Sequence, residues 1–187
     1  MTLLSHFPVV GVSNIYLVGP DGGGDAVIVD PGIFDVALLR LVEEGGFNVG
    51  AVLATHSHEN HVQGLRTLRK IYDADIYGSG DTLMGFPCKS LVDGEILDIC
   101  GFETEVIAVG GHTTDSLVYR IGNFLFTGDV LSAGRIGTST TSWGRSNLID
   151  ELKTKLLSLE DDLIILPGHG PPTSLDAERR LNPDLAG

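Results

Sequence analysis

The chain has 187 residues and a net charge of −13, because 25 acidic residues outnumber 12 lysines and arginines. Such a surface repels phosphate backbones, so we expect no nucleic-acid partner. No apolar run approaches the ~18 residues needed to cross a bilayer, and we expect no membrane partner. Two cysteines without CxxC spacing indicate reduced thiols in a cytoplasmic protein. The length predicts that residues 1–187 form one domain.

The first half of the chain alternates strand-like and helix-like segments. Apolar alternation, helical spacing and turn residues identify them. In chain order the pattern predicts strands at Leu3–Val10 and Asn14–Val18, a turn at residues 20–25, strand Ala26–Val29, a helix capped by Asp35 and ended by Gly45–Gly46, strand Val49–Ala54, a helix from near His61 through Ile71, and strand Ile76–Tyr77.

The second half is richer in strands. Its predicted elements are strands Glu95–Ile99, Thr104–Val109, Ser116–Ile121 and Phe124–Phe126, helix Leu148–Leu159, strand Leu163–Leu166 and helix Ser174–Leu181. Strands therefore occur in two blocks, each accompanied by helices. This order favours two sheets packed together with helices on the outside.

Five of the six histidines fall in three short motifs that follow apolar strands. Residues 55–61 read THSHENH, residues 110–113 read GGHT, and residues 167–170 read PGHG. A carboxylate, Asp129, ends the FTGD motif between the last two. Neutral imidazoles and a carboxylate are ligands for Zn²⁺ and neighbouring divalent metals. The sequence therefore predicts a metal site.

These motifs, in this order, resemble the signature of the metallo-β-lactamase superfamily. Within it the chain is most similar to the glyoxalase II-like hydrolases, also called hydroxyacylglutathione hydrolase-like, and to their short single-domain relatives. The resemblance extends over PGHGPPT at residues 167–173 and ERRLNP at residues 178–183. It implies an α+β fold, the αββα sandwich of two sheets with helices outside, and a metal site at one edge.

The resemblance also implies a division of the metal ligands. A first ion would be bound by His56, His58 and His112, Asp129 would bridge two ions, and a second ion would be bound by His61 and His169. We expect one or two Zn²⁺ per chain, with iron as the alternative. Two ions ~3.5–4 Å apart can share a hydroxide and polarise a carbonyl oxygen together.

Asn60 departs from the family pattern H-x-H-x-D-H. The usual aspartate binds the second metal and orients the attacking water, which makes Asn60 the candidate at the catalytic position. An amide is neutral, binds metals weakly and cannot accept a proton as a carboxylate does. The neighbouring Glu59 is expected to point elsewhere. We therefore expect a weakened or empty second site.

The segment after Asp129 also departs from relatives, which often continue with Gly-Arg-x-Asp. Arg135 and Arg145 are either contacts for an anionic substrate or solvated loop side chains. Trp143, the single tryptophan, either covers the site from a mobile loop or makes ordinary packing contacts.

The leading functional expectation is a metal-dependent hydrolase that uses metal-bound hydroxide on a thioester or related ester. We expect a small-molecule substrate, and no glutathione-binding helical domain after residue 173, so the substrate and oligomeric state stay open. One alternative is a mononuclear-iron, persulfide dioxygenase-like oxidoreductase with His56, His112 and Asp129 as its facial triad. Another is a metal-binding protein with little activity because of Asn60.

Overall fold

The computed structural model describes residues 1–8, 12–160 and 162–185. The chain divides into two compact units, one formed by Met1–Leu91 with Asp98–Phe102, the other by Val92–Leu97 with Glu103–Gly187. That all 187 residues form one domain stays a prediction. Among the helices of the described residues, none has the length and apolar character to cross a membrane.

The first unit is built on a six-stranded mixed sheet. Its strands are β1 (Thr2–His6), β2 (Ile15–Gly19), β3 (Gly24–Val29), β4 (Phe47–Leu53), β5 (Asp75–Gly78) and β8 (Lys89–Ser90), hydrogen-bonded in that order. β1, β2 and β3 pair antiparallel, whereas β3, β4, β5 and β8 pair parallel. A hairpin of β6 (Thr82–Leu83) and β7 (Phe86–Pro87) accompanies it.

Two predictions for this sheet can be compared with it. The hairpin turn at residues 20–25 is confirmed, because β2 and β3 on either side pair antiparallel. The predicted first strand Leu3–Val10 ends at His6, and residues 9 and 10 of that prediction lie outside the described residues.

Three helices belong to the first unit: α1 (Val36–Glu44), α2 (Glu59–Val62) and α3 (Leu65–Leu68). The Asp35 carboxylate accepts the Leu38 N–H at 2.8 Å and caps α1, as predicted. α1 links β3 to its parallel neighbour β4 and buries Leu38 and Val42 against the sheet. The predicted helix from His61 through Ile71 is interrupted because the Gly64 N–H donates to the Pro31 carbonyl at 2.9 Å.

A second six-stranded sheet lies mostly in the second unit. In spatial order it contains β16 (Thr173–Ser174), β15 (Ile164–Pro167), β12 (Phe124–Gly128), β11 (Leu117–Ile121), β10 (Phe102–Ala108) and β9 (Ile96–Ile99). β12 and β15 are parallel neighbours, while β10–β11, β11–β12 and β15–β16 pair antiparallel. A short hairpin of β13 (Leu131–Ser132) and β14 (Arg135–Ile136) follows β12.

The helices of the second unit are α4 (Ser142–Glu151), continued by a π-helical turn (Leu152–Leu156), and α5 (Leu175–Leu181). α4 begins six residues before the predicted Leu148, because Thr141 caps it by accepting the Gly144 N–H at 2.9 Å. Its apolar residues Leu148, Leu152 and Leu156 are fully buried in the core of this unit. Ser174 caps α5 in the same way.

Candidate metal centre

The histidine motif of the first unit follows β4, and a buried carboxylate follows the parallel neighbour β3. Parallel strands end at the same edge of a sheet, so Asp30 and Thr55 meet there. Asp30 accepts the Thr55 N–H at 2.8 Å and the Thr55 hydroxyl at 2.7 Å, and is 2% exposed. It has the positive φ of 50°, which aspartate tolerates better than most residues.

Asp30 also fixes the orientation of His61, which is fully buried. The Asp30 Oδ2 lies 2.8 Å from His61 Nδ1. Because a carboxylate accepts, the imidazole donates from Nδ1, and Nε2 is the nitrogen that can coordinate a metal. Carboxylates commonly hold metal-binding histidines in this way. We did not predict Asp30 from the sequence, although an acid directly after a buried strand beside the histidine motif was the available signal.

The other two histidines of the motif lie against each other. His56 Nε2 lies 2.8 Å from His58 Nδ1, and His56 Nδ1 lies 3.0 Å from the Thr55 hydroxyl. The rings of His56 and His61 have centroids 4.2 Å apart. The structure therefore brings together His56, His58 and His61, the three ligands predicted in this unit.

Asn60 lies in α2 between these histidines. Its backbone carbonyl accepts the Ser13 N–H at 3.0 Å, and its side chain is half-buried. Glu59 on the same helix is exposed. A catalytic role for Asn60 stays a prediction.

The second unit carries the other three predicted ligands. Asp129 follows β12 and His169 follows its parallel neighbour β15, so both lie at one edge of that sheet. The Gly168 N–H donates to the Gly128 carbonyl at 2.7 Å and ties these two strand ends together. His112 lies in the loop after β10.

Each oxygen of Asp129 faces a different histidine. Asp129 Oδ2 lies 3.8 Å from His112 Nε2, and Asp129 Oδ1 lies 3.8 Å from His169 Nε2. The His112 ring donates from Nδ1 to the Thr138 carbonyl at 2.8 Å, so Nε2 is the nitrogen that can coordinate a metal. A carboxylate placed between two imidazoles has the geometry of a ligand that bridges two ions.

These donors fit a divalent metal. Ligand atoms of His112 and Asp129, and of Asp129 and His169, lie within 4.8 Å of each other. His61 and His112 both donate from Nδ1 to an oxygen, the second contact that metal-binding histidines usually make. Nitrogen and carboxylate donors suit zinc and also iron.

The two cysteines offer no alternative nucleophile. Burial raises the pKa of the Cys88 thiol to about 11, with a smaller contribution from the Asp81 charge. Burial likewise raises the pKa of Cys100. Both thiols stay protonated near neutral pH, and a thiol without thiolate character is a poor nucleophile.

The segment after Asp129 returns to the His112 loop. The Ser139 hydroxyl donates to the Gly111 carbonyl at 2.7 Å. Trp143 lies in the first turn of α4 and is 75% exposed, so it is not an ordinary core residue. Arg145 is ion-paired with Asp184 at 2.6 Å, whereas Arg135 lies exposed on β14.

Comparison with known proteins gives the family. The metallo-beta-lactamase superfamily model matches residues 8–87. Over 189 residues the chain is 33% identical to hydroxyacylglutathione hydrolase GloC of Haemophilus influenzae, covering 88% of this chain and 89% of that protein. The chain belongs to the metallo-β-lactamase superfamily. This confirms the family predicted from the four motifs.

Solved structures of similar proteins have the same fold as this chain. The crystal structure of ETHE1 from Myxococcus xanthus has a TM-score of 0.90 at 30% identity, covering all of this chain and 85% of that chain. A protein solved in a di-iron-bound form, TTHA1623, has a TM-score of 0.79 at 27% identity, covering 98% of this chain and 99% of that one. The predicted fold class, the α+β metallo-β-lactamase-type sandwich, is confirmed.

Proposed function

We propose that the protein is a metal-dependent hydrolase that acts on a thioester or related ester of a small molecule. The observation that carries this proposal is the position of Asp129, whose two carboxylate oxygens each lie 3.8 Å from the Nε2 atom of a different histidine. A carboxylate that presents one oxygen to each of two histidines would be placed to serve two ions, and in two-metal hydrolytic sites both ions act on one substrate.

The proposed ligands follow the family pattern. His56, His58 and His112 would hold the first Zn²⁺, His61 and His169 would hold the second, and Asp129 would serve both. The hydrogen bonds from His61 to Asp30 and from His112 to Thr138 support this assignment, because each selects Nε2 for coordination. When bound, such ions supply a Lewis acid and a water acidic enough to attack at neutral pH.

Two residues of the chain, Asp30 and Asn60, would support the reaction beside the metal ligands. Asp30 holds His61 and the backbone at Thr55 in one arrangement, which removes the freedom to reorient during turnover. Asn60, where relatives carry an acid, can hydrogen-bond a water but cannot take its proton. We therefore expect slow turnover with the wild-type residue. The similarity to hydroxyacylglutathione hydrolase GloC supports a thioester as substrate.

Metal analysis and kinetics together test this proposal. Protein produced without added metal is analysed for zinc and iron per chain, and hydrolysis of lactoylglutathione and simple thioesters is followed. We expect zinc, and a fall in kcat/KM of about a thousandfold for His169→Ala, since metal catalysis supplies several kcal/mol. His6→Ala is the matched control, because His6 contacts Asp35 and belongs to no metal motif. Full activity after complete metal removal would contradict the proposal.

A second candidate is the mononuclear-iron, persulfide dioxygenase-like oxidoreductase. Asn60 favours it, because loss of an acidic ligand harms a two-metal hydrolase more than a one-metal oxygenase. The similarity to the Myxococcus xanthus ETHE1 structure is compatible with it. Oxygen consumption with glutathione persulfide, measured on iron-loaded protein, separates the two candidates, since the hydrolase consumes no oxygen.

A further inference from the structure

Glu178 is a buried carboxylate on α5, outside the metal motifs, and only 3% exposed. Its Oε1 accepts the Thr173 hydroxyl at 2.8 Å, and its Oε2 accepts the Asn182 amide N–H at 2.8 Å. The Gly134 N–H contacts both oxygens, at 3.0 and 3.2 Å. Burying a carboxylate is costly unless hydrogen bonds satisfy it, and here three donors from separate segments do so.

One of these donors belongs to the hairpin that follows Asp129. Gly134, with φ of 73°, lies in the tight turn between β13 and β14. The hairpin is fixed at its base, because the Thr127 hydroxyl donates to the Leu131 carbonyl at 2.7 Å and the Gly137 N–H donates to the Val130 carbonyl at 3.0 Å. Asp129 lies within this base. Glu178 therefore holds the far end of the structure that carries Asp129.

A second donor belongs to the chain that follows His169. Thr173 begins β16, where it pairs with Ile165 of β15. His169 lies in the connection between these two strands. With Pro167 ending β15 at one side and Thr173 bound to Glu178 at the other, both ends of that connection are fixed.

We propose that Glu178 is a positioning residue that sets the placement of Asp129 and His169 for the second metal ion. The inference rests on the proposed function, since it concerns the same ligands. The Glu178 carboxylate binds the segment after Asp129 and the segment after His169 at the same time, so it fixes both segments to α5. Of these two ligands, the second ion would use both, whereas the first would use only Asp129 together with its three histidines. The affinity for the second ion should therefore respond more strongly.

Glu178→Met tests this role, because it keeps the length of the side chain and removes both acceptors. Zn²⁺ binding to the metal-free protein is measured by competition with a chromophoric chelator. We expect the second Kd to rise about 10- to 100-fold, the range seen when supporting residues of metal ligands are lost. Glu178→Gln should restore binding to within severalfold, because its carbonyl oxygen still accepts the Gly134 N–H and its amide can donate to the Thr173 oxygen.

Arg179→Ala is the matched control on the same helix. Arg179 donates to the carbonyls of Leu157 and Leu159, so its loss lowers the stability of the second unit by a different route. We expect a lower melting temperature of the metal-free protein with an unchanged second Kd. If Glu178→Met fails to fold, Thr173→Val is tested instead, because it removes a single donor to Glu178. It should still raise the Kd of the second Zn²⁺.

The outcomes separate the two proposals. If wild type binds two Zn²⁺ and the Met and Val variants bind them equally well, the positioning role is rejected while the proposed function stands. The role is also rejected if Arg179→Ala weakens the second ion as much as Glu178→Met, because general destabilisation then explains both. A wild-type protein that binds no metal rejects the proposed function and this inference with it.

Discussion

Asn60 occupies the position where the family pattern has an aspartate, and its effect on the proposed hydrolase can be tested by one substitution. It lies in α2, between His58 and the buried His61, and the Ser13 N–H holds its backbone carbonyl. Replacing the amide by a carboxylate changes one heavy atom and adds a charge. The backbone position of residue 60 therefore needs no adjustment to accept an aspartate.

We expect Asn60→Asp to raise the zinc content and the rate of thioester hydrolysis. A carboxylate adds a charged oxygen ligand and can hold a metal-bound water by accepting its proton. Zinc per chain and kcat are compared with those of wild type. Glu59→Gln is the control, because the exposed Glu59 should affect neither quantity. An unchanged zinc content and kcat in Asn60→Asp would place residue 60 outside the chemistry.

Asp30 is a buried carboxylate that accepts hydrogen bonds from both Thr55 and His61. We expect Asp30→Ala to lower the free energy of unfolding of the metal-free protein by about 2–4 kcal/mol, because Thr55 and His61 lose a charged acceptor. Zn²⁺ affinity should fall about 10- to 100-fold as His61 loses its orientation. Urea denaturation and chelator competition measure the two effects. Loss of stability without any loss of affinity would leave Asp30 with a purely structural role.

Among the helices and strands, those features that depend on neighbouring residues, such as helix caps and turns, could be predicted from the sequence. Helix α1 was predicted with its cap and its end, because Asp35 and Gly45 act on neighbouring backbone groups. The helix from His61 was predicted too long, because the interruption at Gly64 comes from Pro31, which is distant in sequence. The metal motifs could be predicted from the spacing of the histidines. Asp30 was missed although its position directly after a buried strand was a signal. The hydrogen bonds of Glu178 could not be predicted, because they join segments that are distant in sequence.

The cap of α1 gives a prediction that depends on pH. Burial tends to raise the pKa of Asp35, but the Leu38 N–H and His6 outweigh it and hold the pKa below its ordinary value. A lowered folded pKa means that the stabilisation is present above the unfolded value and is lost as pH falls through the folded one. We expect Asp35→Ala to cost about 1 kcal/mol at pH 7. The deficit should shrink below about pH 4.

Urea denaturation of wild type and variant at both pH values measures this difference. Asp73→Ala is the control, since Asp73 is fully exposed and its pairing with Arg69 should contribute little at either pH. A deficit that grows on acidification would have the wrong sign for a carboxylate cap.

The loop that carries His112 depends on a glycine. Gly111 has φ of 119°, and a Cβ there would lie 2.5 Å from the Gly144 carbonyl oxygen and 2.6 Å from the Leu148 Cβ. We expect Gly111→Ala to destabilise the protein by about 2–5 kcal/mol through strain and overlap, and to weaken zinc binding as His112 moves. Gly94→Ala separates backbone strain from steric overlap, because Gly94 also has a positive φ but no atom lies close to where its Cβ would be. Equal losses of stability in both would leave only backbone strain as the cause.

At the scale of the whole molecule, the net charge of −13 opposes an anionic substrate. Salt screens that repulsion, since the Debye length falls from about 30 Å at 0.01 M to about 8 Å at 0.15 M. We therefore expect kcat/KM for lactoylglutathione to rise roughly severalfold over this range. An uncharged thioester should show no such trend. If kcat/KM instead decreases with salt, a local positive potential attracts the substrate. The exposed Arg135 is then the first side chain to replace.

Trp143 gives this chain an unusual optical reporter. An indole that is 75% exposed in the folded protein already has water around it, so unfolding changes its surroundings little. Fluorescence is then a weak signal for denaturation, and circular dichroism serves better for the stability measurements. The same indole lies next to Gly144, whose turn packs on the loop before His112. A ligand that changes the solvent around this indole would change its emission, and equilibrium binding could then be followed without a label or a turnover assay.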